Sequence, residues 1–197
     1  MKYFSIVILI ILSLLTACSN EEKGDAVIKE AELTDFEKSL MEVAGEESFA
    51  FDIELNNEDV KEVHTKIDYY ENGEFIDSLS EFSSALSESD LKETIRAVFI
   101  RQGITDQEEQ WISSVITADG SGSSTIKNKI ADSEEMSSAW GGIPSSASLN
   151  IGEKRIIASI VHSNKNQVSV LNSIETEADI KRATDYERAY LISVELK

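Results

Sequence analysis

The chain has 197 residues, 41% of them hydrophobic, a single cysteine, and a formal charge of −19. That length is enough to bury a self-sufficient core, while the acidity argues against nucleic acid and against flat adsorption to an anionic membrane, both of which need basic surface. One cysteine leaves no disulfide, no CxxC pair and no thiolate metal cluster to stabilise the fold.

Lys2 supplies a positive start, and Phe4 to Leu15 is an apolar run broken only by Ser5 and Ser13. It is short for a membrane span and has the length of a signal-peptide core. The run ends in Leu15-Thr16-Ala17-Cys18, which resembles the lipobox of bacterial lipoproteins. The resemblance implies that residues 1–17 are a signal peptide removed on export. It also implies that Cys18 carries a diacylglyceryl group, with its freed amine open to further acylation. Two chains give stable anchoring where one gives marginal hold, each buried methylene adding about 0.8 kcal/mol. The expected location is therefore extracytoplasmic, on a membrane reached through the lipid on Cys18. Loss of residues 1–17 removes Lys2, the only charged residue among them, and moves the formal charge from −19 to −20.

Residues 18–33 are polar and lack sustained apolar periodicity, so they read as a flexible tether. Thr34 with Glu37 forms a capping-box pattern. Phe36, Leu40, Met41 and Ala44 then share a helical face before Gly45, predicting a short amphipathic helix that packs on the domain or recruits a partner.

From Glu47 the period changes to two. Phe49, Phe51, Ile53 and Leu55 alternate with polar residues, as do Val63, Thr65, Ile67 and Tyr69, and Asn72-Gly73 predicts a tight hairpin turn before Phe75. Residues 90–103 carry both a helix-start pattern, Asp90 with Glu93, and the β-favouring Thr94–Ile100 segment. We read a strand there, and another over Gln110–Thr117. Asp119–Ser124 reads as a loop, Ser124–Ile130 as a strand with Ile126 and Ile130 on one face, and Ser133–Ser148 as a connection around Trp140-Gly141-Gly142-Ile143-Pro144. Arg155–His162, Gln167–Leu171 and Ala189–Leu196 complete the strand set. The expected fold is mainly β: residues 34–197 form one antiparallel β-sandwich, immunoglobulin-like in architecture at most, preceded by the short N-terminal helix.

Candidate chemistry is sparse. His64 shares a strand face with Lys66 and Asp68 and is expected to face water in a cross-strand contact. His162, before Ser163-Asn164-Lys165-Asn166, is expected at a strand end in a turn or capping role. Ser124-Thr125-Ile126-Lys127 matches the S-x-x-K string of penicillin-binding enzymes, but without its companion strings and on an expected strand. The pairs Glu108-Glu109 and Glu134-Glu135 follow from an acidic composition. No nucleotide, calcium or zinc-protease motif occurs, and neither a cofactor nor a metal is expected. Trp140, beside two glycines and a proline, is suited either to a ligand-facing rim or to plugging one end of the sandwich.

In general character the chain is similar to small lipoproteins of Gram-positive bacteria, a likeness that carries no motif into the globular part. The expected function is a surface-tethered, non-catalytic module that binds an envelope protein, a peptide or a wall component. The alternatives are an envelope hydrolase with a site assembled from scattered Ser, His, Asp and Glu, and a regulatory subunit of a membrane complex contacted through the Thr34–Ala44 helix.

Overall fold

A computed structural model describes residues 24–130 and 136–197. Cys18, the expected signal peptide over residues 1–17 and the Glu134-Glu135 pair lie outside the described residues. Eleven strands and two helices follow in the order β1 (Ala26–Glu30), α1 (Asp35–Ala44), β2 (Glu47–Leu55), β3 (Glu62–Glu71), β4 (Glu74–Ala85), β5 (Ile95–Thr105), β6 (Glu108–Thr117), β7 (Gly120–Lys129), β8 (Ser137–Gly142), β9 (Ala147–Leu149), β10 (Lys154–Ser163), α2 (Glu177–Ala183) and β11 (Arg188–Leu196). A single 3-10 turn covers Asp90–Lys92.

The strands form two antiparallel sheets. One runs β7-β6-β5-β2-β1-β9 and the other β4-β3-β11-β10-β8. Phe49, Phe51 and Ile53 of β2, Ile95, Ala97 and Phe99 of β5, and Tyr190, Ile192 and Val194 of β11 point inward and build one continuous core. This is the antiparallel β-sandwich that the period-two patterning predicts. Each fully buried aliphatic or aromatic side chain stabilises it by about 1.5–3 kcal/mol through removal of apolar surface from water. The hairpin at Asn72-Gly73 turns as expected, with φ of 50° and 84° at the two central residues, the left-handed pair that matches strand twist. Of the Thr94–Ile100 segment, Ile95–Ile100 falls within β5, which starts one residue after Thr94, and the helix-start pattern before it yields only the one 3-10 turn.

Four expectations need correction. The second half of the presumed tether is strand β1, which lies between β2 and β9, its Ala26 and Ile28 fully buried. Five residues are too few to show periodicity convincingly, and two neighbouring strands supply the burial that makes them a strand. Asp119–Ser124 is not a loop, because only Ala118 and Asp119 turn and Gly120 already opens β7. An edge strand half in water tolerates the glycine–serine composition that suggested a loop. Ser133–Ser148 contains β8 and the start of β9, whereas Gln167–Leu171 forms no strand. In the last region the chain instead leads to α2, opened by a Thr176–Asp179 capping box, a helix whose seven residues are too few to announce it by periodicity.

The first helix has the predicted cap. The Thr34 side chain accepts from the Glu37 N–H while the Glu37 carboxylate accepts from the Thr34 N–H at 2.8 Å, a pairing worth about 1 kcal/mol. Glu37 also reaches Arg96 of β5, which clasps Asp52 of β2 at 2.8 Å. These contacts dock α1 on the outer face of β2 and β5. Met41 and Ala44 are half-buried beneath it, but Phe36, Leu40 and Val43 face outward, Phe36 70% and Val43 84% exposed. The apolar face therefore only partly packs on the domain.

Candidate binding groove and a buried ionic cluster

The two long margins of the sandwich differ. At one, β4 closes against β7: a Cβ on Gly122 would stand 2.7 Å from the Phe82 ring, so only glycine lets that ring seat. At the other, β1 leaves the sheet after Glu30, which is paired with Phe51, and among the described residues the segment of β2 before Phe51 has no strand on that side. β8 lies across from it in the facing sheet. The seam between them opens into a groove of about 420 Å³, with Phe49, Phe51 and Ala50 as its floor, Leu33, Met41, Lys38 and Glu42 on the α1 side, Glu30 at the end of β1, and Trp140 on the β8 side.

Trp140 thus belongs to a strand rather than a loop. Its alternate neighbour Gly142 turns inward, where a Cβ would come within 2.9 Å of the Phe51 ring. Trp140, on the same face but nearer the margin, is left 49% exposed. Of the two roles suited to this tryptophan, the geometry favours the rim. An amphipathic indole half out of water beside an apolar floor is a common anchor for a binding partner.

Deeper in the sandwich lies a cluster that the sequence reading missed. Arg101 of β5 donates through Nε to Glu109 Oε2 and through Nη1 to Glu47 Oε2, each at 2.7 Å, and all three side chains are buried. The Tyr190 hydroxyl lies 2.9 Å from both Glu109 oxygens and donates its proton to that carboxylate, and Asn128 donates to Oε1 at the same distance. Tyr190 stacks on Tyr69 and tilts against Trp111, with ring centroids 5.1 and 5.0 Å apart. Burial pushes the Glu47 carboxyl up despite the Arg101 charge beside it. Burial would lower Arg101, but the charges of Glu109 and Glu47 outweigh it and hold the guanidinium above its ordinary value. Burial, then the Glu109 charge, raises Tyr190. The signal was present in sequence: Glu47, Arg101 and Glu109 each occupy the inward-facing register of a strand, continuing Phe49, Phe99 and Trp111 outward to the strand ends.

His162 joins this cluster instead of capping a turn. It is buried near the end of β10, its ring edge-on to Tyr190 at 6.0 Å and its Nε2 4.0 Å from Glu47 Oε1 without a hydrogen-bond partner. Burial, reinforced by the charges of Arg101 and Arg188, lowers its pKa to about 3 and keeps it neutral. His64 does make cross-strand contacts, to Glu81 at 3.3 Å and Glu195 at 3.7 Å, but they and its strand neighbours bury it rather than leaving it in water. The two histidines lie on different strands with separate carboxylate neighbours. Lys127 pairs with Glu108 at 3.1 Å on the exposed side of β6 and β7, whereas Glu109 points inward, so neither the S-x-x-K string nor the glutamate pair gathers a site.

Fold and site together define a two-sheet β-sandwich with one closed margin and one grooved margin, crossed inside by an ionic cluster. The chain belongs to the YgaN domain family, whose sequence profile matches residues 27–196. That span opens inside β1 and ends in β11, so β1 is part of the family's domain. Neither a curated protein nor a solved structure matches the chain.

Proposed function

We propose that the protein is a lipid-anchored, non-catalytic recognition module of the cell envelope, with Cys18 fixing its location and the groove beside Trp140 engaging an envelope protein or peptide. The single observation that carries this reading is the groove itself: an apolar floor, a half-exposed tryptophan and a polar rim converge at the sandwich margin that the described residues leave open. The lipobox residues Leu15–Cys18 support the anchor. Only residues 19–23 separate Cys18 from the described domain, and five or six residues span at most about 20 Å. The domain would therefore meet partners held close to the membrane.

The test is covalent cross-linking in the native cell followed by affinity recovery, comparing the wild type, Trp140→Ala, and a Cys18→Ala form given an ordinary secretion signal. A specific envelope component retained by the wild type and lost from Trp140→Ala supports the reading. Equal recovery by wild type and Trp140→Ala removes the groove from it, and recovery of nothing by any form turns attention to enzymatic assays on the soluble domain.

A further inference from the structure

We infer that β8 is an acceptor edge for strand addition, taking an extended peptide that combines apolar side chains with cationic ones. This deepens the groove reading and rests on it.

The main-chain polarity of β8 follows from one hydrogen bond. The Ile143 N–H donates to the Ile157 carbonyl at 2.9 Å, and Gly142 pairs with Ala158. In an antiparallel ladder the N–H and C=O of one residue point to the same side and alternate along the strand. Gly141, Ala139 and Ser137 therefore point to β10, while Gly142, Trp140 and Ser138 present their N–H and C=O to the free margin. Among the described residues β8 has no strand on that side.

The four sheet edges differ in how they are guarded. An unguarded edge invites pairing, and charge, shortness or bulges blunt it. β7 carries Lys127 and Lys129. β4 carries Glu74, Asp77 and Glu81 and is irregular in register, and β9 has only three residues. β8, Ser137-Ser138-Ala139-Trp140-Gly141-Gly142, has six residues, no charge and no proline. It is the edge that also borders the groove. A strand added there would lie about 4.8 Å beyond β8, with alternate side chains directed across the seam toward Phe49, Phe51 and Met41. Such addition gives affinity through main-chain bonds and specificity through the pockets beneath alternate side chains.

Charge selects the occupant. Glu30 and Glu42 face one lysine, Lys38, around the groove, and the whole chain carries −19. A second copy would bring the same charge to the contact, whereas a cationic segment is drawn to it.

The probe is an alternating valine–lysine peptide of about eight residues, within the ordinary length of a strand. It is titrated against the whole exported chain, with a valine–glutamate peptide as control. Indole emission and amide hydrogen exchange are the readouts. The expected result is saturable binding that shifts the Trp140 emission to the blue and slows exchange at the Ser138, Trp140 and Gly142 amides by at least about tenfold, the signature of about 1.4 kcal/mol of added protection. Ser138→Pro, whose missing N–H is one that β10 does not use, should weaken binding by at least about tenfold. Ser138→Lys serves the same purpose should the proline variant fail to fold.

Binding without slowed exchange on β8, or equal binding of the glutamate peptide, overturns the inference. So does concentration-dependent protection of these amides in the protein alone, which would make the occupant a second copy. If a Trp140-dependent partner is captured in cells but the valine–lysine peptide protects no β8 amide, strand addition falls while the groove reading stands. If Trp140 proves dispensable for capture as well, both fall.

Discussion

The Arg101 guanidinium and the Glu109 carboxylate meet at 2.7 Å where Glu109 exposes none of its surface. A buried ion pair is expensive to desolvate, and its Coulombic return depends on complete hydrogen bonding. Here Glu47, Tyr190 and Asn128 complete it. Because Arg101 and Glu109 belong to one sheet and Tyr190 to the other, the cluster ties the sheets in a single register.

Arg101→Met should therefore destabilise the domain by about 3–5 kcal/mol, since it removes the guanidinium to which the buried Glu47 and Glu109 are hydrogen-bonded. Urea unfolding measures this. Adding Glu109→Gln to that variant should recover part of the loss, because the two sites share one network and their effects are not additive. A single-variant loss below about 1 kcal/mol would mean that water replaces the guanidinium and that the cluster is not tightly enclosed.

His162 gives a pH signature. Its folded pKa of about 3 lies below the ordinary 6.5, so its stability contribution is present above about pH 6.5 and is lost as the pH falls toward 3. Its slope reaches at most about 1.4 kcal/mol per pH unit. Glu47, raised above its ordinary 4.5, acts oppositely: its contribution is present below 4.5 and is lost as the pH rises through its folded value. His162→Phe keeps an aromatic edge against Tyr190 and removes an unpartnered buried nitrogen. The variant should be at least as stable as the wild type at pH 7, and its stability should fall less steeply between pH 6.5 and 3. Parallel profiles for the two proteins would show that His162 does not titrate in this window.

Much of this was legible in sequence and some was not, for identifiable reasons. Period-two alternation around Phe49–Leu55, Val63–Tyr69 and Tyr190–Leu196 announces strands because one face is dry and the other wet. The Asn72-Gly73 turn is legible because few other pairs tolerate its backbone. Strands β1 and β8 and the first half of β7 are obscured, while the Ser124–Ile130 reading falls on the second half of β7. β1 is too short, and the composition of the other two is that of loops until a neighbour supplies the ladder. The groove was half legible: Trp140 stood out, but its floor comes from Phe49 and Phe51, about ninety residues away in sequence.

Gly45 fixes the seat of α1. A Cβ there would lie 2.4 Å from Ile100 Cγ2 and 2.5 Å from the Arg101 carbonyl oxygen, and backbone cannot swing aside as a side chain can. Gly45→Ala should cost about 1–3 kcal/mol by overpacking and speed amide exchange in α1. Phe36→Ser, on the exposed face of the same helix, should stay within about 0.5 kcal/mol of the wild type. A larger effect of Phe36→Ser would show that this face is covered in solution.

The two tryptophans should respond in opposite ways to truncation. Trp111 is buried against Tyr190, so Trp111→Ala should cost about 3–5 kcal/mol through lost burial and a cavity. Trp140 stands half in water at the groove, where truncation leaves no enclosed void, and Trp140→Ala should cost less than about 1.5 kcal/mol. Emission separates them further: a small cationic aqueous quencher such as caesium, which the acidic surroundings do not repel, should reach Trp140 and spare Trp111. Trp140→Ala should thus keep the fold while losing the quenchable signal and the partner captured at the groove. A large stability loss in that variant would mean that the indole closes the margin of the sandwich, and the groove would then be a gap beneath a structural plug.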